Sequence, residues 1–204
     1  KTTRDIGIQT EDRSVVTEFN AVFEADWLNA DSGGTTTPTL TSDKLLWSPN
    51  NSTQKLVALI GESTQTIDLQ VENFTNNSIT QALLSAAGRK VKIRVMTPLC
   101  SLNPNPLLNV PTLKKISVSN IEVKVMKNPP TALAPYIHSK SIIVDGVKSY
   151  VGSVNFSNNS LNSAREVGII FKNKAVSGSI KTEYDKDWVQ AVPLPSNPQL
   201  SDCQ

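Results

Sequence analysis

Along residues 44–190, stretches that alternate apolar and polar positions take turns with stretches of helical spacing. Lys44–Trp47, Thr66–Val71, Val91–Met96, Ile121–Met126 and Arg165–Phe171 have the length and β-branched content of strands. Between them, Thr53–Gly61, Ser78–Ala87, Thr112–Val118 and Ala175–Val189 carry apolar residues at helical spacing. Ser52 is placed to cap the first of these helices and Gly88 to stop the second. Ile137–Val144 also alternates, Asp145-Gly146 is a two-residue hairpin signal, and Lys148–Val151 is the returning strand. The pattern predicts an α/β fold with a central, mostly parallel mixed sheet flanked by helices, plus this hairpin.

The remaining segments are less regular. Arg4–Gln9 alternates, and Ser14–Leu28 has helical periodicity with Val15, Phe19, Val22, Phe23 and Trp27 on one side. Asn29–Thr41, with its Gly-Gly-Thr-Thr-Thr-Pro run, reads as a flexible linker that continues to residue 43. Residues 97–111 and 127–136 are proline-rich loops, and the tail from 191 to 204 is expected to be disordered or to lie along the surface.

Composition narrows the function classes only slightly. Twenty basic and 18 acidic residues give no general electrostatic case for nucleic acid, and 5% aromatics leave little for base stacking. No apolar run approaches the ~18 residues of a membrane span. Cys100 and Cys203 allow a disulfide without requiring one. Abundant Asn, Ser and Thr, few charges and a first residue other than Met suggest a processed, extracytoplasmic or secreted protein.

The chemistry concentrates in residues 138–155. His138 is the only histidine, and Lys140 follows two residues later, a spacing that puts both on one face of a strand. Asp145 lies at the turn, and Gly152, Ser153 and Asn155 close the hairpin. An imidazole, an ammonium, a hydroxyl and an amide converging on one point suit a phosphate. Gly152 would let backbone come close to a ligand.

The spacing His-x-Lys-x4-Asp-x6-Gly-Ser-x-Asn resembles, without a gap, the signature of the phospholipase D superfamily. Leu46-Trp-Ser-Pro-Asn-Asn-Ser, Gln81-Ala-Leu-Leu-Ser-Ala-Ala and Val151-Gly-Ser-Val-Asn-Phe-Ser resemble bacterial two-lobed hydrolases of that superfamily. The resemblance implies a phospholipase D-like fold and a covalent phosphohistidine. One lobe's histidine attacks phosphorus and the other's protonates the leaving alcohol. On this reading His138 is nucleophile or general acid, Lys140 and Asn155 hold phosphate oxygens, and Ser153 adds a donor. Asp145 is catalytic or merely satisfies backbone N–H groups at its turn. Glu166 and Asp5 are candidates to orient a histidine, the alternative for each being a salt bridge to its neighbouring arginine. No metal or other cofactor is expected.

An internal repeat bears on architecture. Arg4-Asp-Ile-Gly-Ile8 matches Arg165-Glu-Val-Gly-Ile169 and Glu24-Ala-Asp-Trp27 matches Asp185-Lys-Asp-Trp188, at a constant offset of 161 residues. Residues 1–28 then read as the end of a first lobe, 29–43 as linker, 44–190 as a complete second lobe of a pseudo-twofold pair, and 191–204 as tail. An upstream first-lobe fragment or a dimer partner is expected to supply the second signature. The substrate expectation is a phospholipid at a membrane surface, because Leu99, Leu102, Leu107, Leu108, Leu133 and Tyr136 lie on the approaches to the site. A nuclease of the superfamily and a non-catalytic half-lobe are the alternatives.

Overall fold

The computed structural model describes residues 2–117 and 119–203. The expected helix end at Val118, and the Lys1 and Gln204 ends of the first and last segments, lie outside them. Two compact units are present, one of residues 2–7 with 46–203 and the other of Ile8–Leu45.

The elements in chain order are β1 (Thr3–Arg4), α1 (Arg13–Ser32), β2 (Leu45–Ser48), α2 (Ser52–Gly61), β3 (Thr66–Gln70), α3 (Asn77–Gly88), β4 (Lys92–Pro98), α4 (Val110–Ser117), β5 (Ile121–Met126), β6 (Tyr136–Ile137), β7 (Lys140–Val144), β8 (Lys148–Gly152), α5 (Asn158–Asn162), β9 (Glu166–Lys172), α6 (Lys174–Gln190) and β10 (Val192–Pro193). A 3-10 turn at Leu200–Cys203 follows. Eight strands form one mixed sheet in the order β10-β5-β4-β3-β7-β8-β9-β2. Its helix-flanked α/β character agrees with the sequence, but it is not mostly parallel. Parallel pairing joins β3, β4 and β5, whose crossovers are α3 and α4. From β3 through β7 and β8 to β9 every pair is antiparallel. The connection at 145–147 is too short for a crossover helix, so the chain must turn back on itself.

Leu56, Leu59 and Ile60 of α2, Ile79 and Leu83 of α3, and Leu113 and Ile116 of α4 pack with strand residues such as Leu69, Val95, Ile142 and Tyr150 in one core. Helix α6 is seated through Arg94 of β4. Its guanidinium lies over the rings of Tyr184 and Trp188, at 4.9 and 5.2 Å, and bonds Asp68 and Asp185, each at 2.6 Å. The Trp of the repeat, Trp188, is therefore a packing residue in α6. The tail is not disordered. Val192–Pro193 adds an antiparallel strand to β5, and Cys203 is disulfide-bonded to Cys100.

In the smaller unit, Asp12 caps α1 by accepting from the N–H groups of Ser14 and Val15. The segment expected as a flexible linker is tied to that helix. Glu18 accepts from the N–H of Thr41 and of Ser42 at 2.5 and 2.6 Å, and Asn29 exchanges two hydrogen bonds with Thr36. Val15 and Val22 of α1 are buried, whereas Phe19, Phe23 and Trp27 of the same predicted face are largely exposed.

Candidate active site

Three chain segments are brought together by backbone pairing. The sequence reads one strand over Ile137–Val144, but the strand breaks at His138-Ser139. Upstream of the break, β6 pairs in parallel with β1, matching Thr3 with Tyr136 and Arg4 with Ile137. The N–H groups of His138 and Ser139 both donate to the Arg4 carbonyl, at 3.1 and 2.8 Å. That places Asp5 beside His138. Strand β1 is short, and Arg4 clamps it by donating to Asp187 of α6 at 2.6 and 2.9 Å. Hydrogen bonding to this almost fully buried carboxylate raises the Arg4 pKa against the cost of its own partial burial. The alternative of an Asp5–Arg4 pair is thereby resolved, because Arg4 turns to Asp187 and Asp5 to the imidazole.

Downstream, Phe156 pairs with the segment that leaves β3. Its N–H donates to Asn73 and its carbonyl accepts from Thr75 and Asn76. This fixes Asn155, whose Oδ1 accepts the Asn73 N–H at 3.1 Å. Asn109, fully buried, pins the same segment by donating to the Glu72 carbonyl and accepting from the Phe74 N–H, both at 2.7 Å.

The result is an open pocket of about 500 Å³ lined by Asp5, Ile6, Glu72, His138, Ser139, Lys140, Gly152, Ser153 and Asn155. His138 Nδ1 lies 2.7 Å from Asp5 Oδ1, and the imidazole is half exposed to the pocket. A carboxylate at this distance can only accept, so in a neutral ring the contact favours the proton on Nδ1 and the lone pair on Nε2. Lys140 is 7% exposed and donates to the His138 carbonyl at 2.5 Å and to Glu72 at 3.3 Å. Asn155 Nδ2 reaches Glu72 at 3.3 Å.

Other predicted site residues take different places. Asp145, at φ +52° in the hairpin turn, points away from the pocket. Its carboxylate accepts from the N–H groups of Thr64, Gln65 and Thr66 and from the Thr64 hydroxyl. Burial works against its ionisation, but these bonds prevail and hold its pKa below the ordinary carboxylate value. These contacts match the alternative in which it satisfies backbone N–H groups. Ser153 lines the pocket, yet its hydroxyl is engaged with both the carbonyl and the N–H of Val167. Glu166 opens β9 outside the pocket lining, and the carboxylate that meets His138 is Asp5. A Cβ on Gly152 would lie 2.5 Å from the Gly168 Cα, so this glycine answers to strand packing as well as to pocket access.

Sequence reasoning missed Glu72. Its carboxylate accepts from the Tyr136 hydroxyl at 2.8 Å and touches three signature side chains. Burial pushes the Tyr136 phenol well above its ordinary pKa, so it remains a donor. The available signal was a lone acid directly after the apolar strand Thr66–Val71. The carboxyl ends of parallel strands are where α/β sheets bind ligands.

Residues 56–188 match the family model described as cardiolipin synthase, PLD-like domain. The chain is 32% identical over 122 residues to phospholipase D Z of Dictyostelium discoideum, covering 58% of this chain and 28% of that protein. It is 23% identical over 137 residues to the mitochondrial cardiolipin hydrolase of Chlamydomonas reinhardtii, covering 67% and 57%. The chain thus spans little more than half the length of one of these curated relatives and about a quarter of the other. Among solved structures it is similar to Nuc of Salmonella typhimurium, a phospholipase D family member, with TM-score 0.65 and 22% identity over 74% of this chain and 97% of Nuc. NucT of Helicobacter pylori gives TM-score 0.62 and 22% identity with the same coverage.

Proposed function

The chain belongs to the phospholipase D superfamily, and from this premise we propose that it is a phosphodiesterase that hydrolyses phospholipids through a phosphohistidine. The observation that carries the mechanism is the Asp5–His138 contact, which leaves Nε2 facing a pocket that also holds Lys140 and Asn155. In the proposed first step Nε2 attacks phosphorus, a P–N bond forms and the P–O bond to the leaving alcohol breaks. A second imidazole gives that alcohol a proton. Water then attacks phosphorus, yields its proton to the same imidazole, and breaks the P–N bond. Lys140 and Asn155 offset the charge on the non-bridging oxygens.

This chain has one histidine, so the second must come from another signature-bearing lobe, either an additional segment or a second copy. The repeat supports a reciprocal arrangement. Asp5 occupies the position in the first repeat that Glu166 occupies in the second, and Asp5 serves the histidine of the second. Glu166 would then orient the partner lobe's imidazole, which accounts for its absence from this pocket. The roles of nucleophile and acid follow from which imidazole faces the leaving group.

The lipid reading rests on the approaches. Leu99 folds into the core, but Leu102 and Leu133 are 81% and 78% exposed. Leu102 is held near the site, because its N–H donates to the Tyr136 hydroxyl that itself bonds Glu72. Exposed leucines on loops beside a phosphate pocket suit insertion at a bilayer surface. The protein is proposed to act outside the cytoplasm. Among the described residues no helix is long and apolar enough to cross a membrane.

The test is turnover of phosphatidylcholine vesicles against single-stranded DNA in EDTA. Vesicle turnover with an acid-labile phosphate label, lost in His138→Ala, is expected. Cleavage of DNA alone, or activity abolished by EDTA and restored by a divalent ion, would overturn the reading.

A further inference from the structure

The mechanism gives no part to the carboxylate at the centre of the pocket. Glu72 is 9% exposed, and its Oε2 lies 3.3 Å from Lys140 Nζ, 3.3 Å from Asn155 Nδ2 and 3.7 Å from His138 Nε2. Its other oxygen accepts the Tyr136 hydroxyl, and its backbone carbonyl is anchored by Asn109. The two donors suited to phosphate oxygens therefore already face a fixed anion.

The charge balance follows. A site built to bind phosphate by attraction alone would leave Lys140 uncompensated, and each further substrate charge would tighten binding. Here Glu72 offsets the ammonium at contact distance, inside a partly desolvated pocket where charges interact more strongly than in water. A phosphodiester brings one negative charge, which Lys140 and the hydrogen-bond donors can share with Glu72. A phosphomonoester near neutral pH brings between one and two, because its second pKa is about 6. Among the described residues of the lining, the added charge meets no further lysine or arginine and lies against the Glu72 carboxylate.

We propose that Glu72 is a charge filter, a specificity-determining residue that admits singly charged phosphodiesters and rejects doubly charged phosphomonoesters. The inference rests on the reading of this pocket as a phosphodiester site. It also acts on the product. Hydrolysis of a diester releases a monoester, which at a membrane would accumulate beside the enzyme, and the second charge that water's attack uncovers is the one Glu72 repels.

The single histidine makes the test direct, since its ring protons give one imidazole reporter in NMR. Dimethyl phosphate and methyl phosphate are titrated into the wild-type chain and into Glu72→Gln at about pH 8, where the monoester is almost wholly a dianion. The wild type is expected to bind dimethyl phosphate at least as tightly as methyl phosphate. Glu72→Gln is expected to bind methyl phosphate tenfold or more tighter, with a much smaller change for the diester. Equal changes for both ligands, or no gain for methyl phosphate, would overturn the proposal. If Glu72→Gln does not fold, the wild type still decides, because tighter binding of methyl than of dimethyl phosphate refutes a filter. Failure of dimethyl phosphate to perturb His138 in either protein would instead refute the phosphodiester reading of the pocket.

Discussion

Asp5 and His138, 133 residues apart in sequence, meet through a 2.7 Å contact between Oδ1 and Nδ1. In a neutral ring the contact favours the proton on Nδ1, and it fixes the ring's orientation. Asp5→Asn keeps the shape and can present an N–H to Nδ1, which favours the opposite tautomer. A drop in kcat of about 10²- to 10⁴-fold with little change in KM is expected, by analogy with carboxylates that orient a catalytic imidazole. The ¹⁵N shifts of His138 should reverse between the two nitrogens. An unchanged tautomer would make Asp5 a bystander.

Arg4→Met should cost stability as well as activity. It leaves Asp187, whose side chain is 2% exposed, without its guanidinium. Because Arg4 is itself partly solvated, the loss is expected at about 2–3 kcal/mol, below the range for a fully buried pair. The double variant Arg4→Met/Asp187→Leu should recover much of it. Urea unfolding of the four proteins checks both statements.

Asp145 predicts a pH dependence. Its folded pKa lies below the unfolded value of ~3.9, so its stabilisation is fully present above that value and is lost as pH falls through the folded pKa. Asp145→Asn, which tolerates the left-handed backbone, should cost on the order of 1 kcal/mol at pH 7. The difference from wild type should narrow towards pH 2, with turnover at neutral pH unaffected. A large loss of kcat in a folded variant would return Asp145 to the catalytic set.

Gly168→Ala should be severely destabilising. Its Cβ would lie 2.3 Å from Cε2 of Tyr150, a fully buried ring with no room to retreat. A loss of about 3 kcal/mol or more is expected, at the upper end for overpacking. Gly178→Ala, at a half-buried position of α6 where a Cβ meets nothing within 4 Å, should be neutral or stabilising. Thermal melts of the two variants provide the comparison.

Much of this was legible in the sequence. The hairpin at Asp145-Gly146, the positions of α2 and α3, and the convergence of His138, Lys140 and Asn155 all follow from local patterns, whereas the caps do not, because Asn51 and not Ser52 precedes α2, and Gly88 is the last helical residue of α3 with Arg89 at its cap. Asp5 could be named because the repeat aligned it with Glu166. Other features depend on pairing between distant segments. The break at His138-Ser139 is imposed by Arg4, whose carbonyl takes both N–H groups and pulls the chain out of strand geometry. The antiparallel balance of the sheet is set by which strands meet, and periodicity within each strand does not reveal that. Glu72 has no motif, since its meaning comes from Tyr136, Lys140 and Asn155 converging on it.

The clamp between Arg4 and Asp187 joins positions 183 residues apart. Closing so long a loop is entropically unfavourable and offers nothing locally to drive it, so contacts within the sheet have the advantage of forming sooner. Until it closes, Asp5 is absent and the imidazole is free to rotate. On the proposed mechanism, a chain that has folded its hairpin and core but not this clasp would therefore carry every signature residue and still be as slow as the Asp5 variant. On the proposed mechanism, chemical competence would thus report that distant parts of the polypeptide have met.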